Sequence, residues 1–126
     1  MDMQHFKKVI YDLAQRAGFT VVEFHGPLAT PNFFAALMEQ RGKEFAVLAS
    51  INSDWAVVSE FEPSVCELDF IDSADVAREL KYCHGIDVTS SKVLNGPFVT
   101  RSYLSHNDVK YWKPQSLGEA LFNWWD

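Results

Sequence analysis

The fold that this sequence predicts is decided by residues 44–62, EFAVLASINSDWAVVSEFE. In an extended chain, one side carries Phe45, Val47, Ala49 and Ile51, and one side of the return carries Trp55, Val57, Ser59 and Phe61. This period of two is typical of β-strands. The triplet Asn52-Ser53-Asp54 between them has the chemistry of a turn. The stretch therefore predicts a β-hairpin.

The neighbouring stretches extend this hairpin into a larger unit. A turn at Pro63-Ser64 and a third strand over residues 65–71 would make it an antiparallel meander. Apolar residues recur at helical spacing over residues 3–17, and Gly18 follows as a helix-ending residue. The other elements expected before residue 86 are a strand over residues 19–25, a helix over residues 31–42 that begins at Thr30-Pro31, and a helix that begins at Asp72-Ser73 and ends at Gly85.

The last third of the chain is less regular. It is expected to hold a short strand and a turn within residues 86–98, a strand over residues 98–104 and a loop over residues 105–115. Ser116 and Glu119 have capping-box spacing and predict a C-terminal helix. The whole pattern predicts a single α+β domain over residues 1–126, with a mainly antiparallel sheet of about five strands and helices packed on one side.

Charge is distributed very unevenly along the chain, whose net charge is −6. Residues 44–77 contain eight of the seventeen acidic residues and none of the eleven lysines and arginines. General nucleic-acid binding is disfavoured, because it requires Lys and Arg to neutralise phosphates. A basic partner is favoured, because the field of this segment would attract it.

Six carboxylates of this segment are the candidate partner-binding residues. If the strands over residues 55–61 and 65–71 are neighbours, the first four of these carboxylates project from one side of the sheet. A solvent-exposed sheet face and the helix dipole also explain such acids, but neither explains the missing Lys and Arg. The six residues are Glu60, Glu62, Glu67, Asp69, Asp72 and Asp75.

The C-terminal stretch YWKPQSLGEALFNWWD, residues 111–126, is rich in aromatic residues. Trp124 lies on the apolar face of the expected helix and is predicted to be in the core. Tyr111, Trp112 and Trp125 are candidate partner contacts, since Trp and Tyr are enriched in interfaces. The alternative is that these aromatic residues attach the C-terminus to the sheet.

Catalytic, metal and cofactor motifs are weak or missing in the sequence. Cys83, His84 and Asp87 are close in CHGID, but consecutive helical side chains diverge, and His84 is explained as a helix-end residue. SHND, residues 105–108, offers too few ligands for a metal site. Cys66 and Cys83 match no zinc or redox pattern and are expected to be buried free thiols. We therefore expect no enzyme activity, no metal and no cofactor.

Localisation is predicted from what the N-terminal sequence lacks. The first residues are amphipathic and do not read as a signal peptide, and no apolar run approaches a membrane span. A cytoplasmic protein without a membrane partner is expected.

An acidic α+β chain of this size that ends in GEALFNWWD, residues 118–126, resembles the immunity proteins of bacterial polymorphic-toxin and contact-dependent growth inhibition systems. The resemblance implies a non-enzymatic protein that binds and blocks a toxin domain, often a basic nuclease. It assigns no role to any residue. Two alternatives stay open: a small-molecule-binding protein or enzyme with a pocket near His84 and His106, and a structural or regulatory subunit that self-associates.

Overall fold

The structure is a computed structural model that describes residues 1–27, 31–65 and 67–124. The five strands are β1 (Thr20–His25), β2 (Phe33–Gln40), β3 (Lys43–Ser50), β4 (Trp55–Val58) and β5 (Phe70–Ile71). The five helices are α1 (Met3–Ala17), α2 (Ala74–His84), α3 (Ser91–Leu94), α4 (His106–Trp112) and α5 (Leu117–Leu121). The strands form one antiparallel sheet in the order β1-β2-β3-β4-β5, so the predicted α+β fold with a central meander is confirmed.

The two longest helices, α1 and α2, pack on one side of the sheet, as predicted. Helix α1 begins where the Asp2 carboxylate accepts a hydrogen bond from the His5 N–H, and it ends at Gly18 with φ 76°. Its buried residues Phe6 and Ile10 join a core with inward residues of β2, β3 and β4. The face of α1 that the helical periodicity of residues 3–17 predicts to be apolar is therefore the face that is buried.

Part of the opposite sheet face is covered by the short helices α3 and α5. Leu94 of α3 and Leu121 of α5 pack there against residues such as Phe33 and Leu48. Gly118 permits this close approach, because a Cβ atom at that position would overlap the Phe70 ring. As the sequence predicts, α5 begins at Ser116, whose hydroxyl accepts a hydrogen bond from the Glu119 N–H.

The helix expected over residues 31–42 is wrong, because this stretch forms β2. Thr30, where it was expected to begin, lies outside the described residues. Strand β2 pairs with β3 from Phe33 to Gln40, through a turn with positive φ at Arg41 (52°) and Gly42 (78°). A central strand that is buried on both faces shows a continuous apolar run, and the run FFAALM also fits helical spacing.

Two other expected strands are also wrong in extent or in kind. The third strand was expected over residues 65–71, but β5 contains only Phe70 and Ile71, while Cys66 lies outside the described residues. The strand expected over residues 98–104 is irregular structure, in which the Tyr103 hydroxyl donates a hydrogen bond to the Asp54 carboxylate at 2.7 Å. Val99 in this segment is 54 % exposed, so its β-branched side chain has no core to bury against.

Two further local expectations need correction. The loop expected over residues 105–115 contains helix α4, which begins where the Ser105 hydroxyl accepts a hydrogen bond from the Asp108 N–H. The short strand expected within residues 86–98 is reduced to one parallel bridge between Val88 and Trp55, and helix α3 follows it.

Candidate functional site

The six candidate carboxylates do not form the expected row along two adjoining strands. Glu60, Glu62 and Glu67 lie in the segment between β4 and β5 and are exposed. Asp69 joins the two ends of this segment, because its carboxylate accepts a hydrogen bond from the Ser59 hydroxyl at 2.8 Å. The row is therefore wrong as geometry, and the partner-binding role of these residues stays a prediction.

Asp72 and Asp75, the last two of these carboxylates, have local structural partners. Asp72 accepts hydrogen bonds from the backbone N–H and the hydroxyl of Ser91, at 2.8 and 2.7 Å. These two bonds hold the pKa of the Asp72 carboxyl below its usual value. Asp75 forms an ion pair of 2.8 Å with Arg78, three residues later in α2. Both carboxylates are thus engaged in holding local structure.

Glu60 and Glu62 converge with two glutamates that the sequence analysis did not select. Together with Glu23 of β1 and Glu44 of β3, they line a cleft of ≈ 260 Å³, called here the glutamate cleft. Leu37 of β2 also lines it. Three segments that are distant in sequence therefore bring four carboxylates to one depression of the surface.

Strand register explains why Glu23 and Glu44 reach the same cleft. Glu23 pairs with Leu37, and Leu37 pairs on its other side with Ala46. Glu44 lies two residues before Ala46, and residues two apart in a strand share a face. The half-buried Leu37 therefore has Glu23 beside it on β1 and Glu44 diagonally across from it on β3, where Glu44 pairs with Glu39. This placement could have been found from the sequence only if residues 33–40 had been recognised as a strand.

His25 is the one titratable base that lines the glutamate cleft. Its Nε2 lies 3.0 Å from Oε2 of Glu23, and its ring meets Phe61 edge to face at 5.5 Å. Within residues 1–27, 31–65 and 67–124, no Lys or Arg forms an ion pair with Glu23, Glu44, Glu60 or Glu62. The cleft therefore presents negative charge that the described part of the fold does not neutralise with a permanent cation.

An apolar groove of ≈ 500 Å³ adjoins the glutamate cleft. The groove shares His25, Phe61 and Pro63 with the cleft, so the two depressions are continuous. Its remaining walls include Phe24 at the end of β1 and Pro31 just before β2. The surface thus combines a charged half with an apolar half.

The shared wall is held in place by Trp124. The indole Nε1–H donates a hydrogen bond to the Pro63 carbonyl at 3.2 Å. The Trp124 ring stacks over Phe61 at 6.5 Å and meets Phe33 edge to face at 5.1 Å. Trp124 is half-buried and packs against the core, so its role here is to position the segment that carries Glu60 and Glu62.

The structure does not bring Tyr111 or Trp112, two of the other aromatic candidates, to this surface. Tyr111 is 76 % exposed on α4, and its ring meets that of Trp112 edge to face at 5.1 Å. Trp112 lines a different cleft, of ≈ 380 Å³, beside Phe122 and Trp124. Trp125 lies outside the described residues. Partner contacts through Tyr111 or Trp112 would therefore use another part of the molecule.

Glu67 is also separate from the glutamate cleft. It lines a cleft of ≈ 360 Å³ together with Glu119 and Phe122. Of the six candidate carboxylates, Glu60 and Glu62 are thus the two that meet in one cleft.

His84 connects α2 to α1 and does not form a triad with its neighbours in CHGID. Its Nε2 lies 2.8 Å from Oδ2 of Asp12, and this contact, together with Arg16, lowers the pKa of the Asp12 carboxyl. The Cys83 thiol donates towards Glu79 at 3.9 Å, and Asp87 pairs with Lys81 at 2.8 Å. Cys83 is free and partly buried, whereas Cys66 lies outside the described residues.

The pocket expected between His84 and His106 is not formed by both residues together. His84 lines a cleft of ≈ 410 Å³ with His5, Ser53 and Asp87, and His106 is not among its walls. His106 instead begins α4. The described part of the chain contains no group of three His, Cys, Asp or Glu residues placed to hold a metal ion.

No protein-family model, curated protein or solved structure matches the chain. Across the described ranges, no helix combines the length and the apolar character that a membrane crossing requires.

Proposed function

We propose that this protein is a non-enzymatic inhibitor of the immunity-protein kind, which docks on a basic toxin domain through the glutamate cleft. The observation that carries the proposal is the convergence of Glu23, Glu44, Glu60 and Glu62 on one cleft. Lys and Arg side chains of the partner would supply the cations that the described part of this chain does not. As such an inhibitor it would act in the cytoplasm and without a cofactor.

Inhibition would follow from occlusion. A nuclease domain binds phosphate with Lys and Arg, and carboxylates that pair with those groups compete directly with the nucleic acid. Complementary charge also speeds encounter, towards about 10⁸–10⁹ M⁻¹s⁻¹ at low salt against roughly 10⁵–10⁶ M⁻¹s⁻¹ without steering. A cleft of unneutralised glutamates suits a protein that must capture its target before the target acts.

The remaining candidate acids fit this proposal as contributors to the field. Glu67, Asp69 and Asp72 lie within the acidic segment of residues 44–77. Within the described ranges, none of the three forms an ion pair with Lys or Arg. Asp75 contributes less, because Arg78 neutralises it locally. Their long-range effect is screened over about 8 Å at physiological ionic strength, so the cleft itself dominates at contact.

The test compares wild-type protein with a variant in which the four cleft glutamates are replaced by glutamine. Both proteins are used to capture partners from the native host, and the association rate of a retained basic protein is then measured against salt. We expect the wild-type rate to exceed that of the variant by about tenfold or more at low salt, with the difference shrinking at high salt. Glu67→Gln is the matched control, because it removes one exposed carboxylate outside the cleft.

Neutralisation itself is measured by co-expression of the partner domain with either protein. Wild-type protein should restore growth of cells that produce the domain, and the four-glutamine variant should not. An association rate that is insensitive both to salt and to the four substitutions would exclude the glutamate cleft as the docking surface.

A second candidate function is favoured by the cleft at His84. His84 and His5 line it with Ser53, and the bond from His84 to Asp12 orients the imidazole. A small metabolite with hydrogen-bonding groups for the two imidazoles and for Asp87 is the ligand that this cleft would suit. A rise in melting temperature with a metabolite in a screen, lost in a His84→Ala variant, would favour this function over the first.

A further inference from the structure

The apolar groove beside the glutamate cleft has no assigned role in simple charge pairing. We infer that it receives an apolar side chain from the same basic partner, from a segment in which this side chain is flanked by Arg or Lys. The inference rests on the proposed function, and it specifies the partner's binding segment.

The walls of the groove are apolar and well supported. Phe61 is 6 % exposed and forms part of the core on its inner side. Pro31 and Pro63 have fixed φ angles, and Trp124 holds the Pro63 carbonyl. A preformed wall loses little conformational entropy on binding, which is the usual condition for a side chain to dock firmly.

The size of the groove fits one large side chain with its backbone. Its ≈ 500 Å³ falls within the roughly 300–1,000 Å³ that is typical of ligand pockets. Phe24 and Phe61 are the aromatic residues of its wall, against which an aromatic or a branched aliphatic group can pack. Ser64 lies at the rim and is exposed, so a segment can enter from solvent.

Charge complementarity determines the rest of the occupant's chemistry. His25, Phe61 and Pro63 belong to both depressions, so a segment seated in the groove places its adjacent residues at the glutamate cleft. An acidic flank would be repelled there, and a neutral flank would leave the four carboxylates unpaired. Arg is the best flank, because its planar guanidinium pairs with carboxylates in a fixed geometry.

The two halves contribute to different stages of binding. Exposed charges mainly accelerate encounter, whereas a buried apolar anchor mainly slows dissociation. Because one large apolar side chain would be buried there, the groove should increase affinity by about tenfold or more.

Three fluorescein-labelled nine-residue peptides test this inference, with the central sequences Arg-Phe-Arg, Arg-Ser-Arg and Gln-Phe-Gln between Gly-Ser flanks. Fluorescence anisotropy should show the first binding wild-type protein about tenfold or more tighter than the other two. Amide resonances of His25 and Ser64 should shift with the first peptide.

Two variants locate the binding. Ser64→Phe fills the rim of the groove and should reduce the preference for Arg-Phe-Arg over Arg-Ser-Arg to about twofold or less. Ser102→Phe is the matched control, an exposed turn residue outside both depressions, and should leave the preference unchanged. Replacement of the four cleft glutamates by glutamine should abolish the preference for Arg over Gln.

The outcomes separate the inference from the proposed function. Equal binding of the Arg-Phe-Arg and Arg-Ser-Arg peptides, still dependent on the glutamates, overturns the groove and leaves the proposed function intact. Binding of Gln-Phe-Gln as tight as that of Arg-Phe-Arg overturns the basic flank. If the four glutamine substitutions change the binding of no peptide, the proposed function fails as well. No detectable binding of Arg-Phe-Arg at millimolar concentration also overturns the inference.

Discussion

Neutralising the glutamate cleft should stabilise the free protein, and this prediction requires no knowledge of the partner. Four like charges are held near one another, so each one raises the free energy of the folded state. In the unfolded chain the same glutamates are far apart. Replacing one of them by glutamine, for example Glu62→Gln, should therefore increase the free energy of unfolding.

The magnitude follows from the size of the cleft. A volume of ≈ 260 Å³ corresponds to a width of about 8 Å, at which two unit charges in water repel by roughly 0.5 kcal/mol. Screening at physiological salt reduces this to about 0.2 kcal/mol for each pair. One substitution removes three such pairs, or about 0.6 kcal/mol, and the four-glutamine variant removes six, or about 1.2 kcal/mol.

Thermal denaturation at physiological salt and at 1 M NaCl measures the effect. Glu44→Gln, Glu60→Gln and Glu62→Gln should each raise the melting temperature by about 2–3 °C at physiological salt. The melting temperature of Glu23→Gln should rise less, because this substitution also alters the hydrogen bond between Glu23 and His25. Glu67 shares its cleft with one other carboxylate, that of Glu119, so Glu67→Gln should raise the melting temperature by less than half as much.

The reasoning is refuted if Glu62→Gln leaves stability unchanged or lowers it. The reasoning is equally refuted if the gain in stability of Glu62→Gln is as large at 1 M salt, because the Debye length there is only about 3 Å. Either result would mean that the four carboxylates do not interact through space, and the electrostatic basis of the docking proposal would be lost.

Three further predictions concern the supports of the fold. Burial and the hydrogen bond to Asp54 raise the pKa of Tyr103 to about 12, so the protonated Tyr103 stabilises the fold below pH of about 10, and this stabilisation is lost towards pH 12. The melting temperature of wild-type protein should therefore fall as the pH rises through this range, and that of Tyr103→Phe should fall less. An equally steep fall in the variant would contradict this prediction. Gly118→Ala should lower the free energy of unfolding, measured by urea denaturation, by roughly 1–2 kcal/mol. The added Cβ atom would clash with the Phe70 ring and approach the Leu94 carbonyl to 3.1 Å, which outweighs alanine's helical advantage of about 1 kcal/mol. A variant more stable than wild type would contradict this prediction. The hydrogen bond from His84 lowers the pKa of Asp12, so the ionised Asp12 stabilises the fold above pH of about 4, and this stabilisation is lost on acidification. The Asp12→Asn variant should melt at a lower temperature than wild type at pH 7 and at the same temperature at pH 2. If the difference in melting temperature is the same at both pH values, ionised Asp12 does not stabilise the fold.

Local signals in the sequence predicted much of the fold. The β3–β4 hairpin and helices α1 and α2 follow from periodicity, from turn residues and from the caps at Gly18 and Gly85. These signals depend on residues close in sequence, so they need no knowledge of the tertiary structure. Strand β2 was missed because its apolar run, buried on both faces, also fits helical spacing and follows Thr30-Pro31, which has the chemistry of a helix start.

The candidate site was predictable only in part, for the same reason. Glu60 and Glu62 were found from charge alone. Glu23 and Glu44 join them through the pairing of β1, β2 and β3, and this pairing could not be derived while β2 was expected to be a helix. The local partners of Asp72 and Asp75 were not predictable from the charge count, which does not show their contacts with Ser91 and Arg78.

The hydrogen bond from Trp124 to Pro63 has a practical consequence for any experiment on this protein. It joins the last described turn of the chain directly to the rim of the candidate interface, sixty-one residues earlier in sequence. A reporter or affinity handle attached after Trp124 would pull on that rim and could mimic a loss of recognition. Attachment at Met1, which lines the separate cleft of His84, avoids this artefact at the glutamate cleft.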